Sequence, residues 1–239
     1  MIVSIPFNGK HLMINYRDTL RPFGETDKNM DLQVIKEVFE ENVYQLTPDK
    51  LNGDKVVIDL GGHIGTFSLM AAALGAKVIA LEPNNDNADM LETNAAYNNF
   101  EHKIKVIRKA VYTGNEPLEM ENYYSDSVAK ELGAIATEES NVSEKEDEET
   151  FTAETTTLEK IIEDIVEIDF LKIDIEWSEY KVIPTITEEM MKKIKFIAIE
   201  FHGVDKATFG FMVAHLSKGY RIETLGHHDR GGFIWARRY

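Results

Sequence analysis

The densest chemistry in the chain lies in DLGGHIG, where Asp59 is followed by Gly61, Gly62 and Gly65, with His63 among them. Glycine lets a backbone turn through positive φ and approach a ligand with no Cβ in the way. The run does not supply G-x-G-x-x-G, the spacing that seats a pyrophosphate on a helix N-terminus. An acid two residues before the first glycine instead suits a ligand that carries an ammonium group. Glu82 follows about twenty residues later, where a carboxylate accepts both hydroxyls of a ribose. His63 reads as a binding-turn residue rather than a catalyst, although an imidazole titrates near neutrality.

A second set comes from KIDIEWSEY and FIAIEFH: Asp174, Glu176, Glu200 and His202. These residues follow or end strand-like runs, where open α/β sheets place their ligands. An alcohol is a poor nucleophile until it loses its proton, so each of the four is a candidate general base. Intrinsic pKa favours His202. Asp174, Glu200 and His202 also offer donors to a divalent ion, but Lys172, amides or water satisfy such acids equally well, and no metal is expected. Tyr123, Tyr124, Trp177 and Phe201 are candidate walls for a ring-sized acceptor, with core packing the plainer role. His227 and His228 read as exposed turn residues.

These groups need elements to position them. Residues 55–60, 77–82, 104–111, 169–175 and 196–202 are continuous apolar runs, as strands covered on both faces are. Helices fit at about 66–74, 86–98 and 178–192, and alternating β and α implies a parallel, doubly wound sheet. After a helix near 205–218, GYRIETLG and GGFIWARRY are separated only by HHDRG. So short a loop cannot carry a parallel crossover, and the two strands pair antiparallel. The expected fold is α/β and Rossmann-like: a seven-stranded, mostly parallel sheet ending in an antiparallel hairpin, with helices on both faces. That is the layout of class I methyltransferases, whereas a nicotinamide-binding domain is typically parallel throughout.

Residues 1–50 read as an N-terminal hairpin and a capping helix, and residues 51–239 as the main domain, with an insertion at about 112–157. In the lead-in, Leu32, Ile35, Val38, Phe39 and Val43 recur at helical spacing, with Asn29 or Asp31 as N-cap. In the insertion, LEMENYY and TFTAETTTL form a candidate two-stranded ribbon around the acidic stretch 138–149.

The 239 residues include 42 Asp and Glu against 26 Lys and Arg, a net charge of −16, and no cysteine. A chain this acidic repels a polyanion, so nucleic acid is not an expected partner. Thiolate catalysis and cysteine zinc sites are excluded. With no apolar run of about 18 residues, no membrane span is expected. MIVSIPFNGK lacks the basic and apolar regions of a signal peptide, so a cytoplasmic protein is expected, with a small molecule or glycan as acceptor.

VVIDLGGHIGTFSL resembles the cofactor turn of the FkbM-like methyltransferases, where D-x-G-A-N-x-G is usual. TTTLEKIIEDIVEIDFLKIDIEWSEYKVI resembles that family's TLDDL…DFLKIDVEGAEYEVL segment, FIAIEFH its next strand, and the final hairpin its C-terminal one. The resemblance implies methyl transfer from S-adenosylmethionine, often to a hydroxyl oxygen of a sugar, polyketide or other small metabolite. By position it places Asp59, Gly61, Gly62, His63 and Gly65 along the methionine part of the cofactor, Glu82 at the ribose and Ala110 near the adenine. Asp174 and Glu176 would face the pocket, with Asp174 the better placed base. His63 stands where the family commonly has asparagine, Gly62 where it has alanine, and Trp177 where it usually has glycine. A nicotinamide-dependent oxidoreductase and a catalytically inactive methyltransferase-fold binding module are the alternatives.

Overall fold

The computed structural model describes residues 1–18, 20–23, 26–51, 53–123, 126–129 and 150–239. The acidic stretch 138–149 and Tyr124 lie outside them. Ile2–Phe7 (β1) and Lys10–Asn15 (β2) form an antiparallel hairpin, turned by Asn8 and Gly9 at φ 48° and 72°, the positive pair that a tight two-residue loop requires. Leu20–Phe23 (β3) and Thr26–Asn29 (β4) make a second short ribbon. Met30–Lys36 (α1) starts at Asn29, whose side chain accepts the Leu32 N–H at 3.0 Å. Of the two candidate caps, Asp31 instead pairs with Arg17.

A π-helical turn, Glu37–Glu41, continues α1 and ends on Asn42 in the left-handed region. The extra residue per turn shifts the apolar stripe. Leu32, in the first turn of α1, is exposed, contrary to the simple helical spacing, while Ile35 and Val38 are buried. Pro48–Leu51 (α2) leads into the main sheet.

Val56–Leu60 (β5), Thr66–Leu74 (α3), Lys77–Leu81 (β6), Asn85–Tyr97 (α4) and Ile104–Ile107 (β7) alternate as the sequence predicts. The expected strand 104–111 is broken. Ala110–Val111 (β8) leaves the sheet and pairs in parallel with Thr155–Thr156 (β12). Between them Leu118–Tyr123 (β9) is flanked by Asp126–Ala129 (β10) and Thr150–Ala153 (β11). The predicted ribbon is therefore present as β9 and β11, with a third strand added.

Leu158–Ile162 (α5) precedes Phe170–Ile173 (β13). The single helix expected over 178–192 is instead Glu179–Val182 (α6), a 3₁₀ turn Ile183–Thr185, and Glu188–Lys193 (α7) capped by Thr187. Pro184 lacks an N–H and cannot continue an α-helix. Phe196–Phe201 (β14), Lys206–Leu216 (α8), Tyr220–His227 (β15) and Gly231–Arg238 (β16) complete the chain.

The main sheet has seven strands in the order β15-β16-β14-β13-β5-β6-β7. All neighbours are parallel except β14–β16 and β15–β16. Strand alternation separates two cores: Val57, Phe170 and Ala198 pack under α1, α3 and α4, while Ile58, Leu171 and Ile197 pack under α5, α7 and α8. The chain runs outward in opposite directions from β5 and β13, so a crevice opens at their carboxyl ends. Among the described residues no helix is long and apolar enough to cross a membrane.

Candidate active site

The glycine turn leaves β5 and is tied to its neighbour, since the Gly61 and Gly62 amides donate to the Leu81 carbonyl at 3.0 and 2.8 Å. Gly61 sits at φ 81°, and a Cβ there would lie 1.7 Å from the Asp174 carbonyl oxygen. The two strand ends therefore meet at backbone distance. His63, also left-handed at φ 47°, donates its amide to Glu82 Oε2 at 2.8 Å. Glu82 Oε1 accepts the Asn84 amide at 3.0 Å. Glu82 is largely buried in the cavity floor, and burial raises its carboxyl above the usual range.

The His63 ring turns toward the N-terminal segment. Its Nε2 lies 2.8 Å from Arg17 Nη2 and 3.3 Å from Asp31 Oδ1. Arg17 grips Asp31 through Nε and Nη2 at 3.0 and 2.8 Å and donates Nη1 to Asn87 at 2.7 Å. Burial opposes ionisation of Asp31, but hydrogen bonds from His63 and Arg17 hold its carboxyl well below the usual range. This network straps α1 across the turn.

Glycine turn, strap and strand ends enclose a cavity of about 350 Å³. Gly61, Gly62, His63, Glu82, Ala110, Asp174, Glu176 and His202 line it, as do Trp177 and Glu200. Asp59 and Gly65 do not. Gly65 is packed against Leu91 at the start of α3. Asp59 is fully buried beneath the turn. It accepts the Ser68 hydroxyl at 2.6 Å and stands 3.2 Å from Lys172 Nζ. The ammonium that Asp59 meets in the structure is the protein's own.

Lys172 was anticipated only as a partner for acids. It is buried, reaches Asp59 and Asp174 at 3.2 Å each, and donates to the Gly61 carbonyl at 2.8 Å. Burial disfavours its charge, yet Asp174 and Asp59 raise its pKa. Burial also opposes ionisation of Asp174, but Lys172 and His202 hold that carboxyl below the usual range.

His202 does not serve as the free base that its intrinsic pKa implies. Burial disfavours its cation, but Glu176 Oε2 at 3.1 Å and Glu179 Oε2 at 3.5 Å hold its pKa well above the ordinary imidazole value. Asp174, Glu176 and His202 place donor atoms within 4.8 Å of one another. Asp174 is engaged by Lys172 and Tyr44, and Glu176 by His202, so the cluster is a charge network rather than a preformed metal cage. Glu200 turns instead to Tyr44. His227 is exposed and pairs with Asp229.

Trp177 is buried with its ring 5.5 Å from that of His202, on a backbone at φ 70°. A left-handed backbone costs a residue with a side chain about 1–2 kcal/mol. Trp177→Gly is therefore expected to be about 1 kcal/mol more stable than Trp177→Ala, although both lose the buried ring. Urea unfolding of the two variants measures this, and equal stabilities would refute the strain.

Sequence reasoning missed Tyr44, Arg17 and Asp31, which act through partners far away in the chain. A lysine inside the apolar run DFLKIDI was the one visible sign of a buried ion pair.

A sheet of this order, with a reversed final hairpin and a glycine turn beside an acid-ended second parallel strand, defines the class I methyltransferase fold. The chain belongs to the FkbM methyltransferase family: the model of the Methyltransferase FkbM domain matches residues 59–222. Methyltransferase sdnD of Sordaria araneosa is 25% identical over 191 residues, spanning 70% of this chain and 73% of that protein. The METTL16 MTase domain superposes with a TM-score of 0.52 at 14% identity, covering 94% of this chain and 72% of its own. A second crystal form of that domain gives 0.50 at 12% identity, with the same coverage of both chains. At these identities the structural matches report the fold alone. The matches are methyltransferases, which leaves the oxidoreductase alternative without support.

Proposed function

We propose that this methyltransferase uses S-adenosylmethionine and methylates a hydroxyl oxygen of a carbohydrate or small metabolite. The observation that carries the cofactor reading is Glu82, fixed by the His63 and Asn84 amides on the cavity floor beside the glycine turn. Four further carboxyl groups, Glu37, Asp174, Glu176 and Glu200, line the same cavity, a donor set suited to a cationic ligand. When bound, the cofactor supplies an electrophilic methyl group on a sulfonium.

The protein's own part is to position the acceptor and take its proton, the two contributions that in-line transfer to an alcohol needs. Glu176 and Glu179 raise the His202 imidazole, which leaves the carboxyl groups Asp174 and Glu200 as the bases of this reading. The acceptor reading rests on the proton-accepting carboxyl groups Asp174 and Glu200 in the cavity and on the family.

Calorimetry with S-adenosylhomocysteine should show binding, weakened about 100-fold or more in Glu82→Ala, because a buried hydrogen-bonding site is lost together with the brace of the turn. Unchanged affinity would remove Glu82 from the cofactor site. A mass-spectrometric screen of glycans and metabolites with labelled methyl donor should find label in methyl ethers, and label confined to amines would overturn the O-methyl reading.

A further inference from the structure

Tyr44 Oη lies 2.9 Å from Asp174 Oδ2 and 2.8 Å from Glu200 Oε2. Both are hydrogen-bond distances, and a phenol has one hydrogen to give. Were both carboxyl groups ionised, one of these contacts would be two bare oxygens pressed together in a buried site. A second proton is therefore required. Asp174 has Lys172 Nζ at 3.2 Å, whereas among the described residues Glu200 has no lysine, arginine or histidine in ion-pair contact.

We propose that Glu200, Tyr44 and Asp174 form one hydrogen-bonded chain holding a single shared carboxyl proton, which rests on Glu200, and that this pair, once it has lost that proton, accepts the one released by the substrate hydroxyl. Only the last clause rests on the O-methyl reading. The Glu200 carboxyl donates to Tyr44, and Tyr44 donates to the Asp174 carboxylate. In the reaction the acceptor O–H bond breaks and its hydrogen passes to a carboxylate oxygen of the pair. The freed oxygen electron pair bonds the methyl carbon, and the C–S pair stays with sulfur.

The electrostatics agree with this placement. Burial, then the charge of Asp174, pushes the Glu200 carboxyl up to about 8. Tyr44 is raised well above the ordinary phenol value by burial and by both carboxyl groups, so it bridges as a neutral hydroxyl. The other charged groups facing the pair are Lys172, Glu176, His202 and Glu37. The two cations favour the ionised member, and the two further acids favour the protonated one. Because two acids share the proton, the pair titrates as a unit.

Infrared difference titration of the ligand-free protein tests the shared proton. A protonated-carboxyl band is expected at pH 7, fading with a midpoint near pH 8. It should be missing in Glu200→Gln and shifted in frequency in Tyr44→Phe, which keeps the shape but not the bridge. The Glu200→Gln difference separates this band from other buried acids. Persistence of the whole band in Glu200→Gln, or a band unmoved in Tyr44→Phe, would overturn the chain. In turnover, activity should climb as pH rises through about 8, with this limb absent and the rate about 100-fold lower in Glu200→Gln. An unchanged limb in that variant would refute the catalytic clause. If the infrared result holds while no hydroxyl acceptor is ever methylated, the shared proton stands and the O-methyl reading fails.

Discussion

Lys172→Met is expected to destabilise the fold by about 3–5 kcal/mol at neutral pH, the usual loss when one partner of a buried ion pair is removed. The substitution nearly preserves volume, so the loss comes from charge rather than from a cavity. Asp59 is fully buried, and among the described residues its polar side-chain partners are Ser68 and Lys172. Without the ammonium it must ionise unpaired or bind a proton.

The pH dependence follows in sign. Burial already raises the Asp59 carboxyl above its unfolded value, with Lys172 opposing, and removing Lys172 raises it further. A carboxyl with a folded pKa above its unfolded value binds more protons in the native state, so the stability it contributes falls as pH rises between the two values. Asp174, held low in the parent chain, loses that depression in the variant. The gap between parent and variant should therefore be largest near pH 8 and narrow toward pH 5. Urea unfolding at both values measures it, and a gap independent of pH would mean that Lys172 acts only through packing.

The second large effect belongs to one glycine of the turn. In Gly61→Ala the new methyl would stand 1.7 Å from the Asp174 carbonyl oxygen and 2.9 Å from its carbon, on a backbone at φ 81°. Backbone atoms cannot step aside as a side-chain tip can, so β5 and β13 must part at the point where the cavity forms. A loss of about 3–5 kcal/mol is expected, which at this size lowers Tm by roughly 10 °C. Affinity for S-adenosylhomocysteine should fall more than 100-fold.

Gly62→Ala is the matched control. Its Cβ would crowd only the Leu91 Cδ1 atom, at 2.8 Å, the movable end of a side chain, with Ala80 Cβ and the Leu81 carbonyl oxygen at ordinary contact distance. Its cost should stay within about 1 kcal/mol. Comparable losses in the two variants would remove the close approach of the strand ends as the reason for Gly61.

Much of the fold was legible because it rests on local signals. The apolar runs of β5, β6, β13 and β14, the glycines that close α3, and the short loop between β15 and β16 each depend on residues within one segment. The reading failed where a longer-range contact or a single residue overrode the pattern. Pro184 split a helix, and the segment after β7 left the sheet to pair with β12. His202 looked like a base because its own type suggests one. Glu176 and, from α6 and 23 positions away in the chain, Glu179 pair with its ring and raise its pKa.

The sequence by itself determined which face each charged group would occupy. Side chains alternate along a strand, so Asp59 shares its face with Val57, Lys172 with Phe170, and Glu200 with Ala198. Only the tertiary structure decided which of them meet. The parallel register sets Lys172 beside Asp59, and the segment after the π turn lowers Tyr44 between Asp174 and Glu200. Alternation is a property of one strand, whereas register and strap are set by packing among segments far apart in the chain. The charges and proton positions of the site therefore belong to the folded molecule.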